Sequence, residues 1–231
     1  MSTTIADNYR LVMDAIAAAA RQAGRDLNTV KLVGASKTVP VERIRPAVEA
    51  GLTILGENYL QEARDKIAAF DLPVDWHFIG HLQSNKAASA VKLFSLIHSV
   101  DRLSLAQALN GAAAKANQVQ DILLEVNLAQ EPTKSGAKIE DLETLLRTVA
   151  AFLNLRVRGL MTMPPWYEDA EKVRPYFKIL RQTRDHLQSL KLPGIDLIEL
   201  SMGMSGDFQV AIEEGATLVR IGTALFGSRL H

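Results

Sequence analysis

The sequence has no cysteine among its 231 residues, and its 26 basic residues are balanced by 26 acidic ones. The missing cysteine excludes a disulfide framework, a thiolate nucleophile and cysteine-held zinc or iron–sulfur sites. The zero net charge gives no overall attraction to nucleic acid or to an anionic membrane. No apolar run approaches the ~18 residues of a membrane span, and Asp7, Arg10 and Asp14 make the N-terminus unlike a signal peptide. We therefore expect a cytoplasmic protein without nucleic-acid or membrane partners.

Short apolar segments alternate with amphipathic helical patterns along the chain. An apolar stripe that Gly24 ends predicts an opening helix near residues 3–23. Apolar runs predict strands that begin near residues 31, 53, 74, 95, 121, 155, 196 and 217. Helical spacing predicts helices over residues 41–50, 57–70, 84–92, 102–117, 139–153, 169–190 and 205–214.

The strands are apolar on both faces, as in residues 122–126, which is typical of a parallel sheet covered by helices. Eight strands alternating with helices predict an α/β fold, a (β/α)₈ TIM barrel with an additional N-terminal helix. An open doubly wound sheet is the competing topology. No linker-like stretch divides the chain, so we expect a single domain over residues 1–231.

Lys37 follows the first predicted strand, after the small residues Gly34, Ala35 and Ser36. Burial disfavours the ammonium form, so a lysine buried there would present a neutral amine able to form a Schiff base with an aldehyde. The alternative is a surface lysine that closes an edge strand.

The carboxyl ends of the predicted strands are polar, and a barrel gathers all of these ends around one mouth. The loops after the last two strands commonly build a phosphate site in such barrels. Ser201, Gly222 and Thr223 are therefore candidates for a phosphate cradle, although helix capping would also explain such residues.

Arg220, at the tip of the eighth strand, completes a set that suggests a phosphorylated aldehyde, with pyridoxal 5′-phosphate (PLP) as the candidate. The arginine would face the ring nitrogen and disfavour its protonation. Alternatively, Arg220 pairs with Glu199 or Glu57. Lys37 and a phosphate site would also suffice for a cofactor-free aldolase acting on a sugar phosphate.

Six segments of the sequence closely resemble the pyridoxal phosphate homeostasis protein family. They are residues 34–38 (GASKT), 56–62 (GENYLQE), 76–86 (WHFIGHLQSNK), 159–163 (GLMTM), 200–207 (LSMGMSGD) and 219–227 (VRIGTALFG). The resemblance implies a barrel like the N-terminal domain of alanine racemase. It also implies PLP bound to Lys37 as a Schiff base, with no metal. Asn58 and Met161 would line the cofactor, Ser201, Gly222 and Thr223 would contact its phosphate, and Arg220 would face its ring nitrogen.

The resemblance further implies a role in intracellular vitamin B6 and in amino-acid and keto-acid homeostasis, without catalytic turnover. PLP-dependent apo-enzymes or regulatory proteins would be its partners. Because the chain ends at His231 without room for the second domain of the racemases, we expect a monomer.

A PLP-dependent racemase or decarboxylase acting on an amino acid is the alternative function. A racemase needs a base on each face of the substrate carbon, and Lys37 serves only one. His81 is the leading candidate for the other; His77, Tyr59 and Asp207 are weaker ones.

The polar loop 130–136 either folds over the mouth or is a solvated connection. Four methionines are a candidate soft lining near the cofactor: Met161, Met163, Met202 and Met204.

Overall fold

A computed structural model of the protein describes residues 4–129, 131 and 134–227. The described residues form eight parallel strands that close into a barrel in sequence order, which confirms the predicted TIM barrel and excludes the open sheet. The strands are β1 (Lys31–Ala35), β2 (Ile54–Glu57), β3 (Asp75–Phe78), β4 (Leu96–Val100), β5 (Gln120–Val126), β6 (Leu155–Thr162), β7 (Ile195–Ser201) and β8 (Leu218–Ile221).

The helices cover the outside of this barrel. They are α1 (Ile5–Gln22), α2 (Val41–Glu49), α3 (Leu60–Ala69), α4 (Ala87–Leu93), α5 (Leu103–Lys115), α6 (Leu142–Val149), α7 (Arg174–Ser189), α8 (Phe208–Glu213) and α9 (Thr223–Phe226). None of the helices within the described ranges is long and apolar enough to cross a membrane.

The additional helix α1 starts at a capping box. The Thr4 hydroxyl accepts a hydrogen bond from the Asp7 amide, and the Asp7 carboxylate accepts one from the Thr4 amide. The helix then packs on α8 and α9. Asn8 Nδ2 donates to the carbonyl of Leu225 at 3.1 Å, so α1 supports the end of the barrel that carries α9.

Two buried clusters form the core. The larger one lies between the strands and the helices. The smaller one lies inside the barrel and takes one apolar side chain from each of six strands: Val33, Ile54, Leu96, Leu123, Met161 and Leu218. A barrel interior filled in this way is a packed core, so a ligand must sit at its ends.

Several predicted helices begin later or end earlier in the structure. The pattern over residues 139–153 contains a 3₁₀ turn at Ile139–Asp141 and the helix α6, which ends at Val149. Leu153, the last residue of the predicted helix, lies beyond the end of α6 and is 89% exposed. Similarly, β2 extends to Glu57, so α3 begins at Leu60 and not at residue 57.

Candidate functional site

The carboxyl ends of the strands surround a cavity of about 320 Å³, which we call the mouth cavity. Lys37, Asn58, Arg220, Gly222 and Thr223, five of the residues predicted from the sequence, line it. Its size lies at the lower end of the range of roughly 300–1,000 Å³ that is usual for small-molecule sites. The structure therefore brings these five residues together around one space.

Lys37 lies in a turn two residues beyond the end of β1 and is half-buried. The burial expected of Lys37 is therefore only partial, because the side chain forms part of the open wall of the mouth cavity. The next residue, Thr38, has a positive φ of 60°. Its amide donates to the Glu62 carboxylate at 2.5 Å, which fixes the turn that presents Lys37.

Arg220 is buried at the base of the same cavity, 6% exposed. Its Nη1 donates to Ser201 Oγ at 2.6 Å and its Nη2 donates to the carbonyl of Thr162 at 2.9 Å. Burial lowers the pKa of Arg220 to about 10, against the opposing effect of nearby Glu125 and Asp207. The guanidinium is thus a cation at neutral pH.

The two carboxylates that the sequence offered as partners of Arg220 are engaged elsewhere. Glu199 accepts from Lys31 Nζ at 3.0 Å, and Glu57 pairs with Lys66 at 2.7 Å. Arg220 therefore donates to a hydroxyl and a carbonyl, both of them neutral acceptors. Among the described residues no carboxylate forms a hydrogen bond with this guanidinium, although Glu125 and Asp207 lie near enough to act on its pKa.

Backbone segments after β7 and β8 form one wall of the mouth cavity. Gly222 precedes α9, and the exposed Thr223 is the first residue of that helix. Ser205 and Gly206 belong to the same wall, and the Ser205 hydroxyl accepts a hydrogen bond from the Ala224 amide at 3.3 Å. This hydroxyl and the amides at the start of α9 make the wall suitable for an anion.

The structure gives Ser201 a different position from the one expected for a phosphate contact. Ser201 is wholly buried beneath Arg220, and it does not line the mouth cavity. Its hydroxyl contacts Arg220 and the Nδ1 atom of His98. Ser205, which the sequence analysis did not single out, lines the cavity in its place. The sequence feature that could have indicated Ser205 is its place as the second serine of the segment LSMGMSGD, four residues after Ser201.

Asn58 stands between the mouth cavity and a neighbouring cavity of about 230 Å³, the side cavity. Asn58 Oδ1 is buried and has no hydrogen-bond partner among the described residues. A buried amide oxygen without a partner is costly, which indicates that a ligand or water donates to it. Met161 lies in the wall of the side cavity, 2% exposed.

The side cavity also contains Glu125 of β5, a residue that the sequence analysis did not select. Burial, and to a lesser degree the charge of Asp101, raise the pKa of Glu125 to about 7 against the opposing effect of Arg220. This carboxyl can therefore gain or lose a proton near neutral pH. The sequence feature that could have indicated Glu125 is that it is a lone acidic residue within an apolar strand.

The other candidates occupy different places. His81 is exposed, and its Nδ1 contacts the Ser135 hydroxyl at 2.9 Å. Tyr59 is 58% exposed on the rim. Asp207 accepts from the Met204 amide and holds the turn after β7, and burial raises its pKa. His77 lies deeper in the barrel, beside a cavity at the opposite end.

The loop 130–136 is described only in part, since residues 130, 132 and 133 lie outside the described residues. Its described part lies over the mouth, where Lys134 and Ser135 line the side cavity. Of the four methionines, Met163 and Met204 line the mouth cavity and Met161 the side cavity, whereas Met202 is buried in the core.

No group of three or more histidine, aspartate or glutamate side chains that could hold a metal ion occurs within residues 4–129, 131 and 134–227. The donor set of the mouth is a lysine amine, a guanidinium, hydroxyls and backbone amides. Such donors suit an anionic organic ligand better than a metal ion.

The closed (β/α)₈ barrel places the chain in the class of barrels that includes the alanine racemase N-terminal domain. The sequence matches the family model "Alanine racemase, N-terminal domain" over residues 8–230. A solved alanine racemase of Clostridium difficile 630 superposes with a TM-score of 0.75 at 14% identity, over 97% of this chain and 58% of that one. That likeness concerns the fold alone.

Closer relatives narrow the class. The pyridoxal phosphate homeostasis protein of Aquifex aeolicus is 51% identical over 95% of this chain and 96% of its own length. That of Escherichia coli K12 is 40% identical over 97% of each chain. PipY of Synechococcus elongatus PCC7942, solved with PLP bound, superposes with a TM-score of 0.80 at 40% identity, over 86% of this chain and 93% of its own. The chain belongs to the pyridoxal phosphate homeostasis protein family.

Proposed function

We propose that the protein binds PLP in the mouth cavity as a Schiff base on Lys37 and contributes to vitamin B6 and amino-acid and keto-acid homeostasis without catalytic turnover. The observation that carries the proposal is the convergence of Lys37, Arg220 and the Gly222–Thr223 backbone on one cavity. The relatives named for PLP homeostasis, and PipY with PLP bound, support the same ligand.

The side chains of the cavity match the groups of the cofactor one by one. Lys37 would hold the aldehyde carbon, with the neutral amine nitrogen in place of the aldehyde oxygen, which leaves as water together with the two amine hydrogens. Arg220, at the base of the cavity, would donate from its cationic guanidinium to the ring nitrogen and disfavour protonation of that nitrogen. When bound, the cofactor supplies an electron sink, and this contact weakens it.

The phosphate group is held by the wall formed by the segments that follow β7 and β8. We assign the contacts to Gly222, Thr223 and the Ser205 hydroxyl, and we place Ser201 behind Arg220. Asn58 Oδ1, which has no partner among the described residues, accepts a hydrogen bond from the ligand. Met161 would line the cofactor from the side cavity.

The experiment is to incubate the purified protein with PLP, reduce it with borohydride and locate the modified lysine by mass spectrometry. We expect the added mass on Lys37 and a visible absorption band that Lys37→Ala abolishes. The matched control is Lys31→Ala at the start of β1, whose side chain lies at the opposite end of the barrel and pairs with Glu199. Absence of the band in the unaltered protein, or label on another lysine alone, would overturn the proposal.

The homeostasis role is tested by transfer. The loaded protein, mixed with a PLP-dependent apo-enzyme, is expected to restore that enzyme's activity, while the loaded protein itself turns over no amino acid. We further propose a monomeric, single-domain cytoplasmic protein. Light scattering of the loaded protein checks the monomer, and cell fractionation checks the compartment.

An amino-acid racemase or decarboxylase is a second candidate, and Glu125 favours it. A carboxyl with a pKa of about 7 beside the mouth could move a proton at a substrate carbon. A panel of amino acids incubated with the loaded protein separates the two functions. Racemisation or decarboxylation above the rate of free PLP that Glu125→Gln removes would replace the first proposal with the second.

A further inference from the structure

A chain of buried hydrogen bonds runs through the barrel interior from β3 to Arg220. His77 Nδ1 lies 3.0 Å from His98 Nε2, and His98 Nδ1 lies 2.9 Å from Ser201 Oγ. Ser201 Oγ then accepts from Arg220 Nη1 at 2.6 Å. The four residues come from the different strands β3, β4, β7 and β8, so the chain crosses the barrel.

The donors and acceptors of this chain fix its direction. Arg220 can only donate, so Ser201 Oγ accepts from it. The Ser201 hydroxyl has no acceptor among the described residues other than His98 Nδ1, so it donates there. His98 then carries its proton on Nε2 and donates to His77 Nδ1. The reverse direction would leave the buried Ser201 hydroxyl proton without an acceptor, which is costly.

Both imidazoles must be neutral for this arrangement. Burial, and to a lesser degree the charge of Lys31, lower the pKa of His77 to about 3. Burial likewise lowers the pKa of His98 well below its ordinary value, with His77 and Arg220 acting in the same direction. A proton on either ring would place two donors against each other and break the chain.

The chain holds Arg220 without neutralising it. Its acceptors are the Ser201 hydroxyl and the Thr162 carbonyl, and no carboxylate of the described residues forms a hydrogen bond with it. The orientation of the Ser201 hydroxyl depends on His98, and the tautomer of His98 depends on His77. Loss of either ring would free the hydroxyl and with it the guanidinium.

We propose that His98 and His77 are positioning residues that hold the charge of Arg220 toward the mouth cavity. The proposal rests on the proposed function for the group that Arg220 faces there. Neither histidine lines the mouth cavity; each acts through the next member of the chain. His98 lies outside the six segments, and His77, considered above only as a base, has a positioning role in this chain.

The first experiment uses the ligand-free protein, with ¹⁵N NMR of the histidine side chains. We expect both rings to be neutral with the proton on Nε2 from pH 5 to pH 8. We also expect Ser201→Ala to change the ring nitrogen shifts of His98 and, through it, those of His77. A charged ring at pH 7, or a proton on Nδ1 of either ring, would overturn the direction of the chain and the proposal.

The second experiment uses the loaded protein and measures PLP affinity and the position of the visible band. We expect His98→Phe to weaken affinity by up to about tenfold, the upper end for losing one neutral hydrogen bond, here the one between Ser201 and His98, and to shift the band. Gln120→Leu is the matched control, because Gln120 is a buried strand residue whose amide donates to three carbonyls away from Arg220. The Gln120→Leu variant should be less stable than the unaltered protein, but its PLP affinity and the position of its visible band should be unchanged.

A second pair of variants covers the case in which His98→Phe does not fold. His77→Met removes the acceptor for His98 Nε2, while His77→Gln retains one in its amide oxygen. We expect His77→Met to shift the visible band, and we expect His77→Gln to keep the band at its position in the unaltered protein. Equal effects of His77→Met and Gln120→Leu would overturn the proposal. Failure of the proposed function is distinct, because the unaltered protein would then take up no PLP while the NMR result still stands.

Discussion

Lys66 Nζ lies 2.7 Å from Glu57 Oε1, and the Glu57 carboxylate is wholly buried behind the turn that carries Lys37. The same ammonium donates to the carbonyl of Ser36 at 2.5 Å and pairs with Glu62 at 2.7 Å. Ser36 also donates its hydroxyl to Glu57, and Glu62 accepts from the Thr38 amide. The residues on both sides of Lys37 are therefore held by one buried ion cluster.

Lys66→Met is expected to lower the free energy of unfolding by about 3–5 kcal/mol, the usual loss when one partner of a buried ion pair is removed. Burial raises the pKa of Glu57, and its hydrogen bonds with Lys66 and Ser36 oppose that shift. Lys66→Met removes the hydrogen bond and the charge of Lys66, which oppose the effect of burial, so the folded-state pKa of Glu57 rises further. Stability of the variant then falls as pH rises, and urea unfolding at pH 5 and pH 8 should show the larger loss at pH 8.

Two further variants give this prediction its control. Lys92→Met alters an exposed lysine of α4 and should change stability by less than about 0.5 kcal/mol. Glu57→Gln combined with Lys66→Met removes both charges and should recover most of the loss. A Lys66→Met variant as stable as Lys92→Met at pH 8 would show that the cluster is not needed.

The barrel could be predicted from the sequence because both of its signals are local. Apolar strands of four to eight residues alternate with helical stripes, and a parallel barrel places every strand end at one mouth. This rule alone was enough to predict that Lys37 and Arg220 lie at the same mouth. It also brought Gly222 and Thr223 to the same cavity.

The partners of Arg220 could not be predicted in this way, because they depend on depth within the barrel. Glu199 and Ser201 both point inward from β7, but they are two residues apart along the strand, roughly 6.6 Å. The stagger between strands decides which of the two lies level with Arg220, and nothing local in the sequence fixes that stagger. Ser201 lies level with it, and Glu199 reaches Lys31 at the other end.

Glu125→Gln is expected to make stability less dependent on pH. The pKa of Glu125 is raised to about 7 in the folded protein from 4.5, so the unfolded chain releases this proton first as pH rises. Stability of the unaltered protein therefore falls between pH 4.5 and pH 7, by up to about 3 kcal/mol. The glutamine variant should match it near pH 4 and exceed it at pH 8, as measured by urea unfolding across this range.

Glu140→Gln serves as the control for the pH series, since Glu140 is exposed near the start of α6. Its stability should follow that of the unaltered protein at every pH. A difference between Glu125→Gln and the unaltered protein that stays constant from pH 4 to pH 8 would contradict a raised pKa of Glu125.

Gly80 and Gly111 offer a matched pair of glycine substitutions. A methyl group at Gly80 would overlap the backbone of Asn58, with its carbon 2.6 Å from Asn58 Cα, whereas one at Gly111 meets nothing within 4 Å. Gly80→Ala must push the Asn58 loop away from the mouth cavity, so we expect it to lower the free energy of unfolding by about 1–3 kcal/mol. Gly111 lies within α5, where alanine should raise the free energy of unfolding by about 0.5–1 kcal/mol.

Urea unfolding measures both changes, and equilibrium dialysis should show weaker PLP uptake for Gly80→Ala alone. Equal stability and equal uptake in the two variants would mean that the close approach of Gly80 to Asn58 does not shape the site.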